Sequence, residues 1–360
     1  MAKIDKLLGI VKKVQASDLH LVAGSAPIIR VHGRLEKTRH RRLSDEEIRQ
    51  LVFEVLSDEQ IRQFEKTGDI DFAHGIEGEA RFRFNVYRTQ TGTAAAIRLI
   101  GEEIGNLTSL GFSKTISDLA ESKSGLVLVT GPTNSGKTTT LAAMVDHINT
   151  KFAKHIVTLE DPIEYIHHNK NSLISQRQIG LHAQTFASAL RATLREDPDV
   201  ILVGEMRDLE TISLALSAAE VGLLVMGTLH TANATATVDR IIDVFPPKQQ
   251  SQIRIMLAGS LTGIISQQLL QRADGVGRIC AYELLLKTTS ISSLIREGKT
   301  YQIPTAIQTG NNVGMRLMDS HLRALVESGQ VLPQEAMKYA DNPNAFFEMY
   351  SHEEKEHSGV

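Results

Sequence analysis

The chain has 360 residues, 42% of them hydrophobic and 22% charged, with a formal net charge of −3 at pH 7. That is ordinary for a soluble globular protein of two or three domains, and it gives no global attraction to nucleic acid. One cysteine, Cys280, excludes a disulfide framework or a four-cysteine zinc site; no apolar run reaches membrane-spanning length, and the N-terminus MAKIDKLLGIVKK is not a signal-peptide core, so a reducing, cytoplasmic setting is expected.

In chain order, Ile4, Leu7, Leu8 and Val11 fall at helical spacing over residues 3–14, and Ser17 to Val22 alternates like a strand. The turn Gly24-Ser25-Ala26-Pro27 leads to a second alternating run, so residues 18–33 read as a hairpin. Two helices follow, one capped by Ser44 with Glu47 three residues on, the other starting after Ser57-Asp58. Residues 69–75, 79–88 and 92–100 read as three strands, separated by Gly75 to Gly78 and by Gly92. Residues 1–100 are therefore expected to form a small α/β domain with a largely antiparallel sheet. Alternation puts Arg81, Arg83 and Asn85 on one face of the middle strand and Phe82, Phe84 and Val86 on the other; Arg98 interrupts the apolar run of the next. Taken alone, arginines on a solvated face are unremarkable. Residues 101–113 hold three glycines and little periodicity, and read as an interdomain linker.

From residue 114 to 340, short apolar runs alternate with helices of ten or more residues, the pattern of a mainly parallel, doubly wound sheet. Its candidate strands are 125–130, 155–159, 199–203 and 223–229. The first runs into Gly131-Pro132-Thr133-Asn134-Ser135-Gly136-Lys137-Thr138, which matches G-x-x-x-x-G-K-[ST] at every specified position, and a helix is expected over 138–148. A loop around a triphosphate must turn several N–H groups inward, which needs glycine where side chains would block the approach. Lys137 adds charge, the Thr138 hydroxyl offers a Mg²⁺ ligand, and the helix start adds its positive end, with Thr139 in the same first turn. A nucleoside triphosphate with Mg²⁺ is the expected ligand.

Ligands of such sheets bind at the carboxyl ends of the strands. After the second strand stand Glu160, Asp161 and Glu164 around Pro162, able to orient a water or share hydrated Mg²⁺, though taken alone the segment reads better as a solvated acidic turn. After the third comes Gly204-Glu205; glycine occupies the place where many phosphate-loop proteins carry aspartate, so Glu205 must supply the carboxylate for Mg²⁺. After the fourth comes His230, placed to hydrogen-bond a γ-phosphate. His167, His168 and His182 lack metal-ligand spacing and read as structural or surface residues. The charged stretch 341–360 is expected to be a flexible tail.

Taken together, GPTNSGKT, TLEDPIEY, REDPDVILVGEMRD, GTLHTA and DRIIDVFPP resemble, in order and spacing, the secretion-type ATPases, the hexameric motors of type IV pili and type II secretion. SDLHL resembles the opening of their N-terminal PAS-like domain, so the likeness spans nearly the whole chain. SSLIREGKTYQIPTAIQTG and GMRLMDSHL are similar to the C-terminal region of the branch that retracts pili. The resemblance implies a PAS-like domain joined to a RecA-like ATPase domain, ATP and Mg²⁺ as ligands, and a homo-hexamer. It implies Glu164 as general base, Thr138 and Glu205 at the metal, and His230 as γ-phosphate sensor. Arg83 and Arg98 match arginines that reach a neighbouring subunit's nucleotide; Arg81, Arg195, Arg207 and Arg240 are weaker candidates.

The implied function is ATP-driven pilus retraction at the inner face of the cytoplasmic membrane, with a membrane platform protein and a paralogous retraction ATPase as partners. An accessory nucleotide-binding scaffold with little turnover, and an assembly or secretion ATPase, are the alternatives. Acidity, no tryptophan and 5% aromatics argue against a DNA motor. Two positions depart from the family pattern: Asn134 replaces a glycine of the phosphate loop, and Ser290-Ile291-Ser292-Ser293 replaces Ala-Ile-Arg-Asn.

Overall fold

The computed structural model describes residues 2–14, 16–31, 34–76, 80–100 and 104–347. The chain divides into two compact units: residues 1–103 with 162–166, and residues 104–161 with 167–360.

The first unit holds α1 (Lys3–Lys13), β1 (Asp18–Val22), β2 (Ile28–Val31), β3 (Arg34–Lys37), α2 (Asp45–Phe53), α3 (Asp58–Thr67), β4 (Asp69–Ile76), β5 (Ala80–Thr89) and β6 (Gly92–Ile100). Its six strands form one sheet in the order β3-β2-β1-β6-β5-β4, antiparallel at every pairing. The expected hairpin is the β1–β2 pair; its residues 32 and 33, and residues 77–79 between the later strands, lie outside the described residues. Both helix caps form: Ser44 Oγ accepts from Glu47 N while Glu47 Oε2 accepts from Ser44 N at 2.9 Å, and Ser57 with Gln60 repeats the motif. Alternation along β5 buries Phe82, Phe84 and Val86 completely, and Phe84 stacks on Phe72 with ring centres 4.8 Å apart. Nothing in the sequence reading anticipated β3, whose four residues are all exposed.

The second unit begins with α4 (Lys114–Ala120) and continues through β7 (Gly125–Thr130), α5 (Lys137–Lys151), β8 (His155–Glu160), β9 (Leu173–Gln178), α6 (Phe186–Thr193), β10 (Val200–Val203), α7 (Leu209–Glu220), β11 (Leu224–Leu229) and α8 (Ala234–Asp243). It ends with α9 (Pro247–Ser260), β12 (Leu261–Gln271), β13 (Arg278–Leu286), α10 (Thr289–Arg296), α11 (Ile303–Thr309), α12 (Met318–Glu327) and α13 (Pro333–Met337). Seven strands run in the order β13-β12-β7-β11-β10-β8-β9, parallel except for β13. β7, β10 and β11 are buried throughout, and β7 shows why: Leu126 and Leu128 pack with the core of α6 to α9, while Val127 and Val129 pack with that of α4 and α5. A mixed α/β fold with one antiparallel and one mainly parallel sheet is thus the architecture.

Two expected boundaries need correction. Residues 104–113 belong to the second unit, with Leu107 and Phe112 buried in its core, so apolar anchors override the glycines that suggested a linker. The described start of the tail, 341–347, is packed as well: Phe346 is 1% exposed in a cluster with α12, and Asp341 N and Asn342 N donate to Asp319. Residues 348–360 lie outside the described residues. Cys280, on β13, carries a thiol that burial pushes up to about 12.

Candidate functional site

Four parallel neighbours, β7, β11, β10 and β8, end at one edge of the second sheet. The phosphate loop leaves β7 there. Gly131 and Gly136 have φ of 139° and 88°, and Asn134 sits at 65°, so the substitution of asparagine for glycine keeps the left-handed backbone that the turn needs. At Gly131 a Cβ would lie 2.3 Å from Gln267 O. Gln267, on the adjacent β12 and 1% exposed, props the loop: its Nε2 donates to Ser135 O at 2.7 Å and its Oε1 accepts from Thr140 Oγ1 at 3.0 Å. Lys137, 9% exposed, donates from Nζ to Gly131 O at 2.8 Å and Pro132 O at 2.9 Å.

This cradle fits a polyphosphate. Gly136 caps α5 without a side chain, leaving first-turn N–H groups for an anion, and the buried Ser135 Oγ has no hydrogen-bond partner among the described residues. Thr138 and Thr139 sit half-buried in that first turn.

Glu205 follows β10. Its Oε1 accepts from Arg207 Nε and lies 2.9 Å from His230 Nε2, so the expected carboxylate and the expected sensor meet directly. Hydrogen bonding to Glu205 raises the Arg207 guanidinium further above its ordinary value. The glycine before Glu205 has a steric origin: a Cβ at Gly204 would come within 2.9 Å of Leu159 O and 3.3 Å of Glu160 Cα on β8. No aspartate can stand there without moving a strand. A hydroxyl at Thr138 and a carboxylate at Glu205 are oxygen donors of the kind that Mg²⁺ takes beside phosphates. Among the described residues no group of three or more His, Cys, Asp or Glu side chains could hold a metal.

The acidic turn separates by role. Glu160 Oε1 accepts from Thr158 Oγ1 at 2.6 Å and Gln176 Nε2 at 3.1 Å, inside the second unit. Glu164 groups with the first unit, where its Oε1 lies 3.8 Å from Arg83 Nη1, and Arg81 Nε donates to Ile163 O at 3.2 Å. Arg83 also lies 3.6 Å from Asp71. Arg98 is its direct cross-strand neighbour and donates to Asp18 Oδ1 at 2.9 Å; Asp18 in turn faces Arg30. Burial acts to raise the Asp18 carboxyl, but the Arg98 and Ser17 hydrogen bonds bring it below the ordinary range. Arg195 and Arg240 are exposed and stand outside these contacts. Among the histidines set aside, burial pushes His167 down to about 4, and His182 Nδ1 accepts from Gln178 N in a local turn.

Sequence reasoning missed Gln267. Its one signal was the polar interruption Ser266-Gln267-Gln268 in an otherwise apolar strand.

Fold and site together define a P-loop protein of mixed α/β architecture. The comparisons narrow this: the family model described as "Type II/IV secretion system protein" matches residues 1–338, and the chain belongs to that family. It is 44% identical over 343 residues to the "Type IV pilus retractation ATPase PilT" of Pseudomonas aeruginosa, covering 95% of this chain and 99% of that one. It is 47% identical over 321 residues to a "Twitching motility protein" of Neisseria gonorrhoeae, covering 89% and 86%. Among solved structures, the "Pilus Retraction Motor PilT and Bound ADP" superimposes with a TM-score of 0.88 at 43% identity, covering 96% of this chain and 98% of that one.

Proposed function

We propose that this protein is an ATP hydrolase that works as a ring-shaped motor and powers retraction of a type IV pilus. The observation that carries the reading is the preformed cradle of Gly131 to Thr138, with the Glu205–His230 pair at a strand end of the same sheet edge. Relatives 44% and 47% identical over most of this chain, a pilus retraction ATPase and a twitching motility protein, support it.

In this reading the loop N–H groups and Lys137 bind the triphosphate, and Thr138 and Glu205 hold Mg²⁺, which neutralises charge on the phosphates when bound. His230, anchored on Glu205, senses the γ-phosphate. Glu164 takes the proton of the attacking water, and Arg83, 3.8 Å from it, orients that carboxylate. Arg83 and Arg98 then complete the site of a neighbouring copy in a homo-hexamer, which ties turnover to ring geometry. The motor acts at the inner face of the cytoplasmic membrane on a platform protein, with a paralogous ATPase as a further partner. Among the described residues no helix is long and apolar enough to cross a membrane.

The test is ATP turnover against protein concentration, with particle size measured in the same samples. Turnover should appear with the hexamer and fall by about 100-fold or more in Glu205→Ala and Arg83→Ala. A well-formed hexamer that binds ATP without turning it over would leave only the accessory-scaffold reading.

A further inference from the structure

Glu283 lies on β13 and is 4% exposed. Its Oε1 accepts from Ala234 N at 2.8 Å, and the Met318 N–H also favours its charged form. Ala234 is the first residue of α8 and Met318 the first of α12, so one buried carboxylate caps α8 directly and faces the positive end of α12. Burial pushes its carboxyl above the ordinary range; the Ala234 N–H opposes this, and Asp341 and Asp319 add to it.

The two helices lead to different places. Upstream of α8 only residues 231–233 intervene before His230, and Thr231 Oγ1 and Thr237 Oγ1 lie 2.7 Å apart, tying that turn to α8 itself. The segment entering α12 is fastened along β13 on both sides of Glu283. Arg316 and Leu284 exchange backbone hydrogen bonds of 2.9 and 3.1 Å, Tyr282 N donates to His321 Nδ1 at 3.0 Å, and the Arg316 guanidinium lies 4.8 Å from the Tyr282 ring centre. Asp319, in the first turn of α12, receives two further N–H groups from 341 and 342. The GMRLMDSHL stretch is therefore tied through Arg316 and His321 to the strand that carries Glu283.

We propose that Glu283 is a positioning residue that joins the His230–Asn233 turn to the C-terminal helices, so that a shift of that turn on nucleotide binding is passed to α12. A buried carboxylate suits this because its bond to Ala234 N is charge-assisted and its charge faces the start of α12 as well, whereas its loss leaves a buried orphan donor. Glutamine has the same shape but no charge, so α8 keeps at most a neutral acceptor and α12 loses the anion it faces. A space-filling role would survive Glu283→Gln; a coupling role does not.

The inference rests on the nucleotide-site reading above, and one experiment separates the two. Hydrogen exchange on the full chain is compared with and without a non-hydrolysable ATP analogue and Mg²⁺, at segments 131–139, 231–236 and 316–322. In the native chain all three should gain protection. In Glu283→Gln, 131–139 should respond as before while the response at 316–322 shrinks by about fivefold or more. Steady-state turnover of that variant should drop about tenfold with the ATP KM within about twofold, and should add no further loss to His230→Ala, because both changes act through one turn. A native chain whose 131–139 segment responds while 316–322 stays silent overturns the coupling, and this holds even if Glu283→Gln does not fold. A Gln variant that retains both responses overturns it too. No response at 131–139 overturns the nucleotide-site reading, and this inference with it.

Discussion

The two sheets treat their polar side chains in opposite ways. In the second unit the groups that shape the phosphate loop and its surroundings are interior: Gln267 is 1% exposed, Glu283 4% and Lys137 9%, and each is tied to backbone. In the first unit the row Arg30, Asp18, Arg98 and Arg83 crosses four adjacent strands at directly opposed positions, with the Arg98 side chain 59% exposed. Stripping a buried polar group of its partner costs about 1–3 kcal/mol, whereas an exposed ion pair is worth about 0–1 kcal/mol. The loop is thus held in one geometry by its own chain. In the row only Asp18 is buried, held by Arg98; Arg83, half-exposed and with partners no closer than 3.6 Å, can exchange them at little cost.

Three measurements press on that contrast. The largest effect should come from Gly131→Ala, since the added Cβ meets a backbone oxygen at 2.3 Å and the site requires a φ of 139°. Chemical denaturation should show a loss of about 3–4 kcal/mol, with nucleotide binding abolished. A loss under about 1 kcal/mol would mean that the loop is not held as tightly as the Gln267 prop implies.

Next comes pH. Burial pushes His321 from 6.5 down to about 4, with Arg316 adding to the shift, and its Nδ1 is the acceptor for Tyr282 N, which requires a neutral ring. As pH falls below 6.5 the unfolded chain takes up a proton that the folded chain refuses. Stability is therefore lost on acidification, by about 2 kcal/mol near pH 5, and the loss levels off below about 4. Melting curves from pH 7.5 to 4.5 should show it, and His321→Gln should flatten the dependence.

The smallest stability change belongs to the arginine row: Arg98→Ala should cost about 1 kcal/mol, because the buried Asp18 carboxylate loses its 2.9 Å partner. Turnover of the assembled ring should nevertheless fall by about tenfold or more if the guanidinium serves a neighbouring copy. Equal, small effects on both would erase the distinction between the two sheets.

Legibility followed sequence distance. The phosphate loop could be read residue by residue because its eight positions are contiguous, down to Asn134 in a left-handed conformation. The strands bordering it were legible as apolar runs with glycines at their ends. Gln267 was not, because it props the loop from a strand about 130 residues downstream, and nothing local to either segment announces the pairing. Gly204 was readable as a departure but not as a necessity; its cause is the closeness of β8, which only the sheet order supplies. The misread linker and tail share one fault. Glycines and charges set the character of a whole stretch, while single residues, Leu107, Phe112 and Phe346, anchor it.

The state of Cys280 has a practical side. With its thiol pushed up to about 12, almost none of it is thiolate at neutral pH, and the thiolate is the species that attacks maleimides. The natural chain therefore supplies a nearly silent background for thiol labelling. A pair of cysteines introduced on solvent-facing positions of α8 and α12 can carry donor and acceptor dyes without first replacing Cys280, so the distance between those helices can be followed in single molecules during turnover.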